Sequence, residues 1–121
     1  MQITDTDRIA IRGVIESQLE AFQIDDAITA FSFATPGIQA TFQSPEMFME
    51  MVTTHYQAVY RPRAVVFDDL AIVNGYLSQP VLLLDPDGVP MRALYVMENQ
   101  PNGSWRIHGC YLVPVEGQTI P

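Results

Sequence analysis

Lysine is absent from this 121-residue sequence, and charge of either sign is scarce, at 17% of residues. The 6 basic residues are all arginines: Arg8, Arg12, Arg61, Arg63, Arg92 and Arg106. They stand against 14 acidic residues, for a formal net charge of −8. Scattered arginines in a negative field make no basic stripe to displace counterions from phosphates, which argues against nucleic acid as a partner. The same balance argues against an anionic membrane surface. Cys110 is the single cysteine, so no internal disulfide can form, and a reducing compartment fits. Long hydrophobic runs are missing as well. Segments such as Val81 to Leu84 are far too short to span a bilayer. No charged-then-apolar leader is legible, so the chain as given is expected to be cytoplasmic, or exported after removal of a leader. There is no Gly-rich phosphate loop, no dinucleotide fingerprint and no Ser-His-Asp set readable from spacing, and no cofactor is expected.

Apolar residues are plentiful, at 48%. That is enough for a hydrophobic core, and the length suits one domain over residues 1–121. With so few charges to cover the surface, some apolar surface is expected in a pocket or a subunit interface.

The order of patterns implies an α+β fold. Thr4 and Thr6, with Asp5 and Asp7, suit a helix start and its positive dipole end. Ile11, Val14, Ile15, Leu19 and Phe22 then recur at helical spacing, so an amphipathic helix is predicted to about Gln23. Asp25-Asp26 reads as the cap of a short second turn carrying Ala27, Ile28 and Phe31. Ser32 to Gln43 has no sustained period and reads as a loop or a broken helical turn. Ser44-Pro45-Glu46 is a strong start for a helix through Met47, Phe48, Met51, Val52, His55 and Tyr56, ending before Pro62. The period then changes to that of strands: Arg63 to Phe67, Leu70 to Tyr76, and Val81 to Leu84 opened by Pro80. Asp85-Pro86-Asp87-Gly88 reads as a turn. Met91 to Glu98 and Trp105 to Val113 read as strands about a loop ending in Asn102-Gly103. Helices first and hairpins after predict N-terminal helices packed on a curved antiparallel sheet.

Several local sequences carry a family resemblance. They are Ala21-Phe22 with Asp25-Asp26, Ala30 to Ala34, Phe48 to Val52, Tyr60-Arg61-Pro62-Arg63, Asp85 to Gly88, Ala93-Leu94-Tyr95, and Ser104 to Ile107 with Gly109-Cys110. Together, over about Ile9 to Leu112, the chain resembles an uncharacterised bacterial family described as a domain of unknown function. That family is grouped with the nuclear-transport-factor-2-like (SnoaL-like, cystatin-like) folds. The resemblance implies a cone of helices and curved sheet, often a homodimer, and implies no activity. Many members of the family look exported.

Enzymes of the wider fold superfamily, of isomerase and cyclase type, place an acid or base inside the cone. Here the apolar face of the first helix carries no Tyr or His. His108, in the last strand, is the candidate catalytic residue, because imidazole suits proton transfer near neutral pH. Asp68, Asp69 and Glu98 are the carboxylates to weigh beside it, each with a solvated strand-end reading as the ordinary alternative. His108 and Cys110 lie two apart, which by simple alternation gives one face and two metal ligands. No third ligand has the spacing, so no metal is expected. Arg61 and Arg63 flank a rigid proline and can clamp a carboxylate or phosphate, or pair with the chain's own acids. Met47, Met49 and Met51 make an adaptable apolar surface. The candidate ligand-binding residues are therefore Met47, Met51, Tyr60, Arg61, Arg63 and Tyr95. The expected function is a non-catalytic homodimeric module holding a small apolar or acidic ligand. The rival is an isomerase- or cyclase-type enzyme using His108 or a buried Asp as base. A third reading is an interaction domain that buries its sheet face against another protein.

Overall fold

In the computed structural model, which describes residues 2–115, helices precede an antiparallel sheet. The first helix, α1, spans Asp5–Gln23. Thr4 caps it in a reciprocal box: its hydroxyl accepts from the Asp7 backbone N–H at 3.1 Å, and the Asp7 carboxylate accepts from the Thr4 N–H at 3.0 Å. Its apolar stripe (Ile11, Ile15, Leu19 and Phe22) is buried in the core. Each such side chain withdrawn from water contributes about 1.5–3 kcal/mol before entropy is counted.

Helix α2 (Ala27–Ser32) is capped by Asp26, which accepts from the Thr29 N–H. The next segment, expected as a loop or broken turn, forms helix α3 (Pro36–Phe42). The reason is local: Thr35 caps and Pro36 takes the first turn, the same signal as Ser44-Pro45. None of the residues of α3 is fully buried, so its apolar period is too weak to read. Helix α4 (Pro45–His55) starts at its expected cap, and after a break at Tyr56 a short α5 (Gln57–Tyr60) stops ahead of Pro62. Phe48 of α4 gathers Phe22, Phe31 and Phe42, with ring centroids at 6.3, 5.3 and 5.7 Å.

The strands are β1 (Ala64–Phe67), β2 (Ala71–Val73), β3 (Tyr76–Leu84), β4 (Pro90–Asn99) and β5 (Trp105–Pro114). Their order is β1-β3-β4-β5, with every pairing antiparallel. Strand β2 also pairs β3, end to end with β1 on the same edge. Two expectations change here. The single strand expected over Leu70 to Tyr76 is a hairpin, because Asn74 and Gly75 take φ values of 51° and 82° and reverse the chain in two residues. Pro80 does not open a strand but lies inside β3. Its carbonyl accepts from the Asp68 N–H, so its donor-less nitrogen faces the break between β1 and β2, where no ladder bond is lost.

The sheet face that packs on the helices carries Leu77, Val81 and Leu83 from β3, Ala93, Tyr95 and Met97 from β4, and Trp105 and Ile107 from β5, all buried in one continuous core. A β-bulge interrupts the β4–β5 register between Val96 and Met97: Val96 pairs Gly109 and Met97 pairs Ile107, which leaves His108 as the extra residue. The opposite face is also apolar. Val66 and Tyr111 are 54% and 61% exposed there, with Leu82, Leu94, Val96 and Val113 half-buried and outside the helix-side core. None of the described helices is long and apolar enough to cross a membrane.

Candidate functional site

A cavity of about 580 Å³ lies between the helices and the sheet. Helix α1 contributes Gln18 and Phe22, α3 contributes Ile38 and Phe42, and α4 contributes Phe48, Met51, Val52 and His55. Tyr56 and Val59 complete the helical wall, and Tyr95 of β4 with Ile107 to Tyr111 of β5 form the sheet wall. The size and the mainly apolar lining are those of a small-molecule site. No Asp, Glu or Arg is among its described lining residues.

Its polar groups are few. Gln18 is buried in the helical wall, where its side-chain amide donates to the Ala30 carbonyl at 3.1 Å and ties α1 to α2. Tyr95 is 1% exposed, and its buried hydroxyl has no nitrogen or oxygen partner, only the weak acceptor sulfur of Cys110 beside it. Cys110 sits directly across the β4–β5 pair from it. Burial pushes the Cys110 thiol up to about 12 and the Tyr95 phenol well above its ordinary range, so both stay protonated at neutral pH. Burial also raises Tyr56.

His108 reaches the cavity from the edge strand. Its Nδ1 lies 2.8 Å from the hydroxyl of buried Thr35 and 3.7 Å from a Glu98 carboxylate oxygen. The segment carrying Thr35 runs beside β5: the Ile107 N–H donates to the Phe33 carbonyl, and the Thr35 N–H donates to the Ile107 carbonyl. The imidazole thus fastens the start of α3 to the bulge. The chain matches the family described as Domain of unknown function (DUF4864) over residues 4–120. It belongs to that family. No curated protein and no solved structure matches it.

Of the residues singled out from this family member's sequence, Met51, Tyr95 and His108 come together at the cavity. Met47 is 52% exposed on α4 and does not line it. Tyr60 and Arg61 lie at the surface against Asp25: the Tyr60 hydroxyl donates to one carboxylate oxygen, and Arg61 donates to the other at 3.2 Å. The Tyr60 hydrogen bond first, then Arg61, holds the Asp25 carboxyl below its usual range. Arg63 lies by the β3–β4 turn at Gly88, so the two arginines line no common described pocket. Asp68 and Asp69 occupy the break between β1 and β2, and neither lines the cavity. Simple alternation, which put His108 and Cys110 on one face, fails at the bulge. Ile107 and Cys110 pair with the buried Met97 and Tyr95, and His108 is displaced from that face. Among the described residues no group of three His, Cys, Asp or Glu converges as a metal site.

Sequence reasoning passed over Gln18, Tyr56 and the aromatic wall of Phe22, Phe42 and Phe48. Gln18 carried a readable signal: a polar residue one step before Leu19, on the buried side of an amphipathic helix.

Proposed function

We propose that the protein is a non-catalytic, homodimeric small-ligand-binding module of nuclear-transport-factor-2-like type. The observation that carries this reading is the cavity of about 580 Å³, mainly apolar, that lies between helices and sheet with no carboxylate among its described lining residues. An acid–base enzyme of isomerase type needs a tuned acid or base beside the reacting carbon. His108 stands at the cavity edge with its Nδ1 engaged by Thr35. The polar groups on the sheet wall, Tyr95 and Cys110, keep their protons. Helices followed by an antiparallel sheet support the fold assignment, and the sheet's outer face supports the dimer. There Val66 pairs Leu82 and Leu94 pairs Tyr111, an apolar surface crossed by Arg92.

Fluorescence titration with N-phenyl-1-naphthylamine, an uncharged apolar probe, tests the cavity. Saturable binding at one site per chain is expected, and Met51→Trp, which fills the cavity from α4, is expected to abolish it. No saturable binding by the unmodified protein removes the ligand-binding reading. Light scattering on a sizing column tests the dimer, and a mass of one chain at micromolar concentration removes it.

A further inference from the structure

Gln18 stands three residues after Ile15 and four before Phe22, on the buried stripe of α1, and is itself only 4% exposed. An amide in that stripe is unfavourable unless its hydrogen bonds are made. One is made: Nε2 donates to the Ala30 carbonyl at 3.1 Å. That bond fixes which way the amide is turned and leaves Oε1 on its other side. No described group donates to Oε1. The oxygen is not sealed by protein either. Tyr95 Oη is the only described side-chain polar atom that is both enclosed and without such a partner, and Gln18 lines the cavity of about 580 Å³. An unpaired acceptor with accessible surface therefore meets the cavity from a residue that is otherwise buried.

The rest of the lining says what kind of molecule suits it. No arginine or carboxylate is among the described lining residues, so a charged ligand finds no permanent counter-charge. His55 and His108 are exposed and Tyr56 is half-buried, so solvent reaches these polar side chains at the mouth. Phe22, one turn along α1 from Gln18, and the linked rings of Phe48 and Phe42 give the cavity an aromatic wall. A ligand that enters displaces the water that meets Oε1, and one that cannot donate in its place forfeits a hydrogen bond.

We infer that the cavity takes an uncharged molecule with an apolar, ring-containing body and one hydrogen-bond donor, a hydroxyl or a ring N–H, which donates to Gln18 Oε1. This rests on the ligand-binding reading above and adds the polarity of the ligand and its orientation, donor against α1 and body among the phenylalanines. Gln18 is the specificity-determining residue. An apolar cavity alone prefers the more hydrophobic of two similar molecules, and the amide oxygen shifts that preference toward the one that donates.

The test uses 2-naphthol and its methyl ether, 2-methoxynaphthalene. Both carry the same rings and the same oxygen, and only the naphthol donates, so the pair separates an accepting Oε1 from a donating Nε2. They and the anion 2-naphthoate are titrated by calorimetry at pH 7 into the full chain and into Gln18→Met, which keeps the side-chain length and removes the amide. The preference for naphthol over ether is expected to fall about tenfold in Gln18→Met, the loss of one buried hydrogen bond. Comparing the two probes within each protein cancels their difference in hydrophobicity. The naphthoate is expected to bind more weakly than the naphthol. Gln18→Met also loses the tie to Ala30, so circular dichroism checks its fold, and carbon NMR of the unmodified protein needs no variant. There the Gln18 side-chain carbonyl resonance is expected at higher frequency with naphthol bound than with the ether bound. A preference unchanged in a folded Gln18→Met, a carbonyl resonance that moves alike with both probes, or tighter binding of naphthoate overturns the inference while leaving the cavity a binding site. Failure of all three probes to bind overturns both.

Discussion

Replacing Tyr95 by Phe removes one oxygen from the core and leaves the ring in place. The oxygen is buried with no nitrogen or oxygen partner, and Tyr95 is 1% exposed, so almost none of its desolvation is recovered from water. An unmade hydrogen bond at a buried hydroxyl costs about 1–3 kcal/mol. Part of that is offset by weak attraction to the Cys110 thiol across the strand pair, so Tyr95→Phe is expected to stabilise the ligand-free protein by about 1 kcal/mol. For a chain of this length that is a rise of roughly 3–5 °C in melting temperature. Urea unfolding followed by the fluorescence of Trp105 is the assay. The midpoint should rise and the slope stay constant, since the surface exposed on unfolding hardly changes. A loss of about 1 kcal/mol or more would refute the reasoning. It would mean that the hydroxyl is already paired in the empty protein, with the thiol as partner, and a double-mutant cycle with Cys110→Ala would then give a coupling of that size.

Other expectations follow from the same structure. With the thiol raised from 9.0 to about 12, Cys110 should react with iodoacetamide at pH 8 about a thousandfold more slowly than an ordinary thiol, and at the ordinary rate once unfolded in urea. Asp7, Asp25 and Asp26 are all held below 3.8, by hydrogen bonds from Thr4, Tyr60 and Thr29 as the leading causes. A lowered carboxyl stabilises the fold above its unfolded value and loses that contribution as pH falls through the folded one. The urea midpoint should therefore be flat from pH 6 to about 4 and fall below it, less steeply in Asp25→Asn. Gly75→Ala meets nothing within 4 Å but must hold φ at 82°, so it should cost about 1–2 kcal/mol by backbone strain alone, read as a lower melting temperature. Val66→Glu, at a position 54% exposed on the outer sheet face, should leave the circular dichroism unchanged and convert the proposed dimer to monomer by light scattering.

Residues near one another in sequence settled the elements. Thr4, Asp26 and Ser44 cap the helices expected of them, the stripe of Ile11, Ile15, Leu19 and Phe22 faces the core, and Pro62 lies beyond the last helix. These are interactions within a turn or two, and their partners are a few residues away. The missed pieces were local signals under-read: Thr35-Pro36 repeats the start of α4, and Asn74-Gly75 is a two-residue reversal within what looked like one strand. The site is different in kind. Its lining comes from α1, α3, α4, α5, β4 and β5, and no spacing along the chain brings Gln18, Met51 and Tyr95 to one cavity. Strand alternation pairs residues on a face, but it did not say which face meets the helices, and the bulge beside Val96 moved His108 off the face that alternation assigned it. Composition fixed that this acidic, lysine-free chain has apolar surface to spare. Only the packing of α1 to α5 against one side of the sheet decided that some of it encloses a cavity and the rest lies exposed on the other side. Burial is a property of what stands opposite a side chain in space, and Tyr95 acquires its buried hydroxyl, with only a thiol beside it, from that packing alone.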